Sequence, residues 1–541
     1  MDLEKNLRIK GHNVHLSTTK PHRSTCHPRN GSSITINIDE PSITLKSIDT
    51  TQLTKIEKLR FIAGEIHYFR IPYMLWFDRL QRMKLGGITV VAIPIEWATH
   101  EPKNNEFHFE KNGDIFNFLN HVKELEMRAL IKIGPYIDAD RELGGLPAWL
   151  LFENVSSDAI WLRTNNQIFK RYYERWLRTL FREIENFTFE KGALSWHEPH
   201  TTLSSTQFEN LNRVIEEILN GGTSIIYMYT GGTTFGLANG LKTLQDDGTI
   251  PIYGQDAPLN PNGNPTNQYY NLRNIIRKVA PDQSKYSIGQ SQIDIELQTK
   301  YPTLEFEAFG SLLCPTIKNI TALPPIINLE PKIFRELKQN GGFILYETLI
   351  NFEIRDEKLL LKCTGIRDRG YVYFQEKFAG ILGSRNGKIL LKNLHMGDIL
   401  YILVENNGRL SKGFRMNNDL KGIFKPVILT TTSGISLSAP QRFIFPKGPL
   451  LYRSVFFANS ENYACRDSYL NVQSLGKGIV FLNGHILGPY WSSFGSPLSV
   501  YIPGVFINPY PRENIVIILE LENAPVNNFI LRFVRTPVFL G

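Results

Sequence analysis

The 541-residue sequence has only four cysteines, Cys26, Cys314, Cys363 and Cys465. They lie far apart without the short spacings of a zinc site, so neither a metal nor another cofactor is expected, and one or two disulfides stay open. No run approaches the roughly 18 apolar residues that cross a bilayer, and Met1–His15 lacks the apolar core of a secretory signal. No membrane span and no export signal are therefore expected. Charge of one sign is also missing as a pattern. The formal net charge is +8, but outside the N-terminus Lys and Arg are dispersed among acids and form no stripe, which argues against nucleic acid as a partner. The exception is local: Lys5, Arg8, Lys10, Lys20, Arg23 and Arg29 face only Asp2 and Glu4 in the first thirty residues, so residues 1–50 are expected to form a basic, unstructured arm. Four glycosylation sequons, at Asn30, Asn154, Asn186 and Asn319, are what a chain of this length acquires by chance.

What is present is a core-forming chain, 42% hydrophobic and 21% charged, long enough for two to four domains. Its N-terminal half alternates strand and helix. Phe61–Phe69 is rich in strand formers, and the amphipathic stretch Met74–Lys84 after it stops at Gly86-Gly87, which suit a helix C-terminus. Ile88–Ile95 is a continuous β-branched run, the pattern of a strand buried on both faces, followed by Ile115, Phe118, Leu119, Val122 and Leu125 at helical spacing. Ala129–Ile133 supplies a third strand, and Ile168, Tyr172, Trp176, Leu180 and Ile184 a third helical stripe. Three βα units in a row predict a parallel sheet, open or closed into a barrel.

Polar and aromatic residues gather where these strands end: Glu65 and His67, then Glu96, Trp97, His100 and Glu101, then Asp138, Asp140 and Glu142. Active sites of parallel α/β folds lie at that edge. Each acid singly also reads as a helix cap or a partner of a neighbouring loop. Together, carboxylates and rings at strand ends suit carbohydrate, because acids bind hydroxyls or protonate glycosidic oxygens and rings stack on sugar faces.

At these residues the chain resembles family 35 of the glycoside hydrolases, the β-galactosidases. Gly64-Glu65-Ile66-His67-Tyr68-Phe69-Arg70-Ile71-Pro72 is similar to that family's opening strand and His100-Glu101-Pro102 to its second loop. Gly134-Pro135-Tyr136 through Gly144-Gly145-Leu146-Pro147-Ala148-Trp149-Leu150 resembles the third. Tyr227-Met228-Tyr229-Thr230-Gly231-Gly232 looks like the last barrel strand, Asp256-Ala257-Pro258-Leu259 like the loop beyond, and Phe481-Leu482-Asn483-Gly484-His485 through Tyr490-Trp491 like the final sandwich. The resemblance runs over about residues 55–541 in order. It implies a (β/α)8 barrel followed by two β-sandwich, galactose-binding-like domains, removal of terminal β-linked galactose with retention, and a lysosomal, vacuolar or extracellular compartment.

The resemblance also implies a loss. The family's acid/base and nucleophile are glutamates on the fourth and seventh strands, the first in a Glu-Asn-Glu-Tyr-Gly motif and the second in a Ser-Glu-Phe-like segment, and neither motif occurs in this sequence. The residues show the gap independently. After the third helix a strand is due, yet Asn186–His200 offers no buried run of adequate length, and Leu211, Val214, Ile215, Ile218 and Leu219 form another helix before the strand Ser224–Tyr229. At roughly 250 residues for eight units, the stretch from Phe61 to about Lys278 is short for a whole barrel. The expectation is an incomplete barrel over 51–285 with strands 1–3 and 8, joined near Ala193–Trp196, and no catalytic residue. By the resemblance the remaining sugar contacts are Ala139, Asp140 and Tyr227, with Asp138 and Glu142 as weaker candidates; Asp138 and Asp140 depart from the family's Cys and Glu, and Gln255 from its Tyr. Tyr227 reads equally as a barrel-core tyrosine. A relocated pair of acids drawn from Glu96, Glu142 and Glu198 has nothing in its spacing to support it.

Beyond Ile326 the pattern becomes short strands split by Gly, Asn and Asp turns, as in Gly342–Tyr346, Tyr371–Phe374, Ile399–Val404, Gly478–Leu482 and Ile515–Leu519. This predicts two β-sandwiches, 326–438 and 439–541, after a linker over 286–325. Tyr490-Trp491 is expected to pack inside the second one more than to stack a sugar. Two functions follow: a β-galactosidase-family hydrolase from which a segment is missing, or a non-catalytic relative that binds a β-galactoside or another glycan.

Overall fold

In a computed structural model of the chain, the described residues are 62–152, 161–188, 224–242, 251–279, 298–321, 323–354, 358–374, 377–431, 449–458, 465–495 and 497–539, with short strands at 8–9, 12–13, 24–26, 33–36, 43–46, 56–59 and 194–196. The expected helix at Leu211–Leu219 and the acid Glu198 lie outside them. Part of the segment expected as an unstructured arm carries strands: Ser24–Cys26, Ser33–Ile36 and Ile43–Lys46 pair antiparallel in that order, and Ile56–Leu59, just beyond the arm, pairs with the last of them. The alternation of Ile34, Ile36, Ile43 and Leu45 with Ser, Thr and Lys is the signal that the local charge outweighed.

The N-terminal half is a five-stranded parallel sheet. Its strands are β1 (Ile62–Ile66), β2 (Val90–Pro94), β3 (Arg128–Lys132), β4 (Leu194–Trp196) and β5 (Ser224–Thr230), in the spatial order β4-β3-β2-β1-β5. Every residue of β1 and β2 is buried, which is why both read as continuous apolar runs. Helices α1 (Trp76–Leu85), α2 (Ile115–Glu124) and α3 (Gln167–Thr188) follow β1, β2 and β3. Asp114 caps α2, its carboxylate accepting from Asn117 N at 2.9 Å. On α3 the buried face is Phe169, Trp176, Leu177, Leu180 and Ile184, and Trp176 stacks on Trp97 at 5.9 Å. β4 corrects the expectation that no strand stands between α3 and β5. Three residues between Gly192 and Pro199 are too few to show a period, and only pairing with Leu130, Ile131 and Lys132 of β3 defines them as a strand.

The C-terminal half consists of two β-sandwiches. In the first, Gly342–Leu349, Ile399–Asn406, Arg369–Phe374 and Lys377–Gly383 form one sheet and Lys388–Lys392, Lys358–Lys362 and Ile428–Thr431 the other. Val372, Leu361, Ile402 and Val404 fill the space between them. In the second, a six-stranded sheet includes Leu304–Ser311, paired to Leu450–Phe457 and Phe529–Leu531. This corrects the expected linker over 286–325: Leu304 and Phe306 are buried in the second sandwich's core while Glu305 and Glu307 face out. The three cysteines with described side chains, Cys314, Cys363 and Cys465, are free thiols.

Candidate functional site

The C-terminal ends of β1, β2, β3 and β5 bring one polar cluster together. Glu65 leaves β1 fully buried, and Lys132 at the end of β3 donates from Nζ to its Oε2 at 2.6 Å. His67 lies 3.2 Å from Glu65 Oε1 through Nε2 and 2.6 Å from Arg70 Nη1 through Nδ1. A guanidinium only donates, so Nδ1 accepts, and the ring proton sits on Nε2 and points at Glu65. Burial pushes His67 down to about 4, against the opposing pull of Glu65. Burial alone would raise Glu65, but the His67 hydrogen bond and the Lys132 charge outweigh it and hold the carboxyl below its ordinary value.

Arg70 extends the chain of contacts. Its Nε donates to Thr234 Oγ1 at 3.0 Å and its Nη2 to the Ala139 carbonyl at 2.5 Å, while the guanidinium lies 4.0 Å from the centre of the Tyr253 ring. His67 stacks on Phe69 at 5.1 Å and on Tyr253 at 5.4 Å, and the hydroxyls of Tyr227 and Tyr253 are hydrogen-bonded. The result is a wall of rings with hydroxyls along its rim. Glu96, after β2, is bound by Arg141 through both oxygens, the Nη2 contact at 2.9 Å, and also accepts from Thr99. Its carboxyl is held low although burial works the other way.

The loop after β3 turns sharply. Asp138, Ala139 and Asp140 all have left-handed backbone, with φ of 57°, 55° and 49°. Such a run is rare for L-residues. Gly144, at φ 63°, sits where a Cβ would overlap the Tyr136 ring. Oδ1 of Asp138 is buried without a hydrogen-bond partner, and burial raises the carboxyl's affinity for its proton. Asp140 is half-buried, its carboxylate 3.6 Å from Lys242 Nζ and its carbonyl accepting from Gly240 N at 3.0 Å.

Of the residues singled out from the sequence, Glu65, His67, Ala139 and Tyr227 therefore meet in one contact network through Arg70 and Tyr253, Asp140 acts on Tyr253 electrostatically, and Asp138 neighbours Tyr136, Arg163 and Lys412. Tyr229 is the fully buried strand tyrosine and Tyr227 the half-buried one at the rim. Glu142 turns away and meets Arg409 of the first sandwich at 2.5 Å. His100 accepts from Tyr68 at 2.6 Å, and Glu101 is taken by Trp97, Asn105 and Arg175, so both are part of the packing under the loops. Sequence reasoning missed Lys132, Arg70, Arg141 and Tyr253. Lys132 had a signal, a cation closing the apolar run Ala129-Leu130-Ile131; the others are defined only by contacts across the fold. In the second sandwich Tyr490 is buried with its hydroxyl on Glu520 at 2.7 Å, and Trp491 lies between Arg369 and Lys477, each 4.8 Å from its ring. Among the described residues no three His, Cys, Asp or Glu side chains converge as metal ligands, and no helix is long and apolar enough to cross a membrane.

Comparison with known proteins matches this arrangement to one family. The profile of glycosyl hydrolases family 35 matches residues 53–194 and 193–279, that of the β-galactosidase first all-beta domain 331–437, and that of the β-galactosidase galactose-binding domain 449–514. Among relatives, the mouse (Mus musculus) beta-galactosidase-1-like protein is 26% identical over 590 aligned positions, covering 86% of this chain and 88% of the relative. The beta-galactosidase of Pongo abelii is 26% identical over 608 positions, with 87% and 86% covered, and the human (Homo sapiens) beta-galactosidase 25% over 608, with the same shares. Each alignment is longer than the 541 residues of the whole chain while covering only part of it, so the relatives carry residues opposite which this chain has none. The chain belongs to glycosyl hydrolases family 35.

Proposed function

We propose that the five-stranded sheet is an incomplete (β/α)8 barrel, in which β1, β2, β3 and β5 stand for strands 1, 2, 3 and 8, and that the chain binds a terminal β-galactoside or related glycan at its strand ends without hydrolysing it. The barrel reading is supported by the two matched segments, which meet at residues 193 and 194, and by the length of the alignments. The domain division is 51–285, 326–438 and 439–541, with Leu304–Ser311 assigned to the last. Kinship supports a lysosomal, vacuolar or extracellular compartment.

The observation that carries the loss of hydrolysis is the state of the carboxylates. Retaining hydrolysis needs one free carboxylate as nucleophile and one protonated acid about 5–5.5 Å away. Glu65 has both oxygens engaged by Lys132 and His67, Glu96 both by Arg141 and Thr99, and Glu142 is held by Arg409. The pairing holds Glu65 and Glu96 ionised and occupied, fit neither to attack nor to protonate. Glycan binding needs less: ring faces, the hydroxyls of Tyr227 and Tyr253, and the unpartnered Oδ1 of Asp138.

The test is calorimetric titration of the purified chain with a non-hydrolysable thio-β-galactoside, beside incubation with a chromogenic β-galactoside. Saturable binding and no colour are expected. No binding overturns the glycan reading, and turnover of the chromogenic substrate overturns the inactivity. The alignment length favours a second reading, an active enzyme whose transcript encodes further barrel residues near Gly192–Glu198; a longer native transcript there, encoding two more glutamate-bearing strands, would establish it.

A further inference from the structure

The loop carrying Asp138, Ala139 and Asp140 is held from outside the parallel sheet. Arg409 of the first sandwich, 2% exposed, donates from Nη1 both to Glu142 Oε1 and to the Asn340 carbonyl, each at 2.5 Å. Beside it, Leu241 N donates to the Arg409 carbonyl at 2.9 Å and Ser411 N to the Leu241 carbonyl at 2.8 Å, a parallel bridge between Leu241 and Leu410. The other side of the same short segment grips the loop. Gly240 N donates to the Asp140 carbonyl at 3.0 Å, Glu142 N to the Ala238 carbonyl at 3.2 Å, and Arg141 and Asn239 form an antiparallel bridge. Sandwich, bridging segment and site loop thus form a ladder, and its fit is close: Gly408 has φ 106°, and a Cβ there would run into the Asn239 carbonyl.

We infer that Arg409 is a positioning residue for the strand-end site, fixing the left-handed run Asp138–Asp140 through Glu142 and residues 238–241. The inference rests on the reading of the strand ends as a glycan site. Left-handed backbone at three consecutive non-glycine residues persists only where the surroundings impose it. Among the described residues, Arg70 grips the middle of the run from the sheet, at the Ala139 carbonyl. The far end, Asp140 to Glu142, is fixed through the ladder and the Arg409 ion pair. Release of Glu142 lets Asp140 leave left-handed space and carries its carboxylate away from Tyr253. Affinity for the glycan then depends on a residue of a different domain.

The experiment uses the full chain with Arg409→Met, Arg409→Lys, Glu142→Gln and the charge swap Arg409→Glu with Glu142→Arg. Amide exchange across residues 137–145 should rise about tenfold in Arg409→Met and Glu142→Gln with β1–β3 unchanged, and thio-β-galactoside affinity should fall about tenfold. The swap should recover most of both, which a role in bulk stability alone would not produce, and Arg409→Lys should fall between. If Arg409→Met does not fold, Glu142→Gln, changed from the half-buried side of the pair, gives the same readout. Unchanged loop exchange in a folded variant overturns the inference whatever the sugar does. Faster loop exchange in the variants together with no sugar binding by the wild-type chain supports the positioning and sinks the glycan reading.

Discussion

The strand-end cluster and the junction between the two sandwiches both bury charge, and they do it differently. At the junction Glu405 accepts from Tyr371 Oη at 2.8 Å and from Lys477, which also donates to Asn407 Oδ1 at 3.0 Å. Glu520 accepts from Tyr490 Oη at 2.7 Å and from the backbone N–H groups of Gly476, Lys477, Glu522 and Asn523, while Arg369 donates to Glu522 at 2.6 Å. Its carboxylates are closed off by protein donors, and of the groups around them only the Tyr373 hydroxyl is, among the described residues, buried without a partner. At the strand ends Asp138 Oδ1, Thr230 Oγ1, Thr233 Oγ1 and Asn239 Nδ2 are buried with no hydrogen-bond partner. Each such atom costs about 1–3 kcal/mol. A closed network joins domains; an open one is worth keeping where a ligand supplies the missing partners.

The comparison breaks most visibly at Lys477. Lys477→Met leaves Glu405 buried without its cation, and removing one partner of such a pair costs about 3–5 kcal/mol. Urea unfolding should show that loss, with thio-β-galactoside affinity in the folded protein unchanged. A matching loss of affinity would mean that the junction and the sugar site are one device.

Acid should separate the two regions next. His67 and His100 have folded values of about 4 against 6.5 free, because burial disfavours the charged ring. The stability tied to each is fully present above pH 6.5 and is lost as pH falls from 6.5 toward 4, since only the unfolded chain takes up the proton there. The full loss is about 3 kcal/mol per histidine. Glu65 and Glu96, held low, add a further loss below about 4.5. At the junction the sign is opposite: burial raises Glu520, so its protonation as pH falls toward 4.5 relieves a penalty. Urea midpoints measured from pH 7.5 to 4.5 should fall, and His67→Gln, which keeps an acceptor for Arg70 and a donor for Glu65, should flatten the upper part of the slope. An unchanged slope would show that His67 is not buried neutral.

The same contrast explains what was legible in the sequence. β1 and β2 announced themselves because strands buried on both faces must be apolar throughout, and α2 because Ile115, Phe118, Leu119 and Val122 must share one face. β4 has three residues, and Leu304–Ser311 alternates over only Leu304-Glu305-Phe306-Glu307, so neither carries enough periods to be seen before its partner strand is known. At the site, Glu65 and His67 were readable as polar residues ending an apolar run. Lys132, the partner of Glu65, is 67 residues beyond it, and the partner of Glu142 is 267 residues away in another domain. Local pattern reports which face a residue takes; it is silent on which distant group meets it there.

The smallest expected change in stability is at Asp138, and it is the most discriminating. Asn tolerates left-handed backbone as Asp does, so Asp138→Asn keeps the loop's geometry and removes the charge from a carboxylate whose Oδ1 no protein group satisfies. Stability should stay within about 1 kcal/mol of wild type, on the stabilising side, because a half-buried carboxylate with a raised pKa is relieved of its burial cost. Affinity for the thio-β-galactoside should fall about tenfold, as a hydrogen bond from a sugar hydroxyl to a charged acceptor becomes one to a neutral acceptor. Calorimetry and urea unfolding on the same preparation measure both. If Asp138→Asn instead costs stability on the scale of Lys477→Met, the aspartate belongs to a closed network like the one between the sandwiches, and the strand ends hold the fold rather than a sugar.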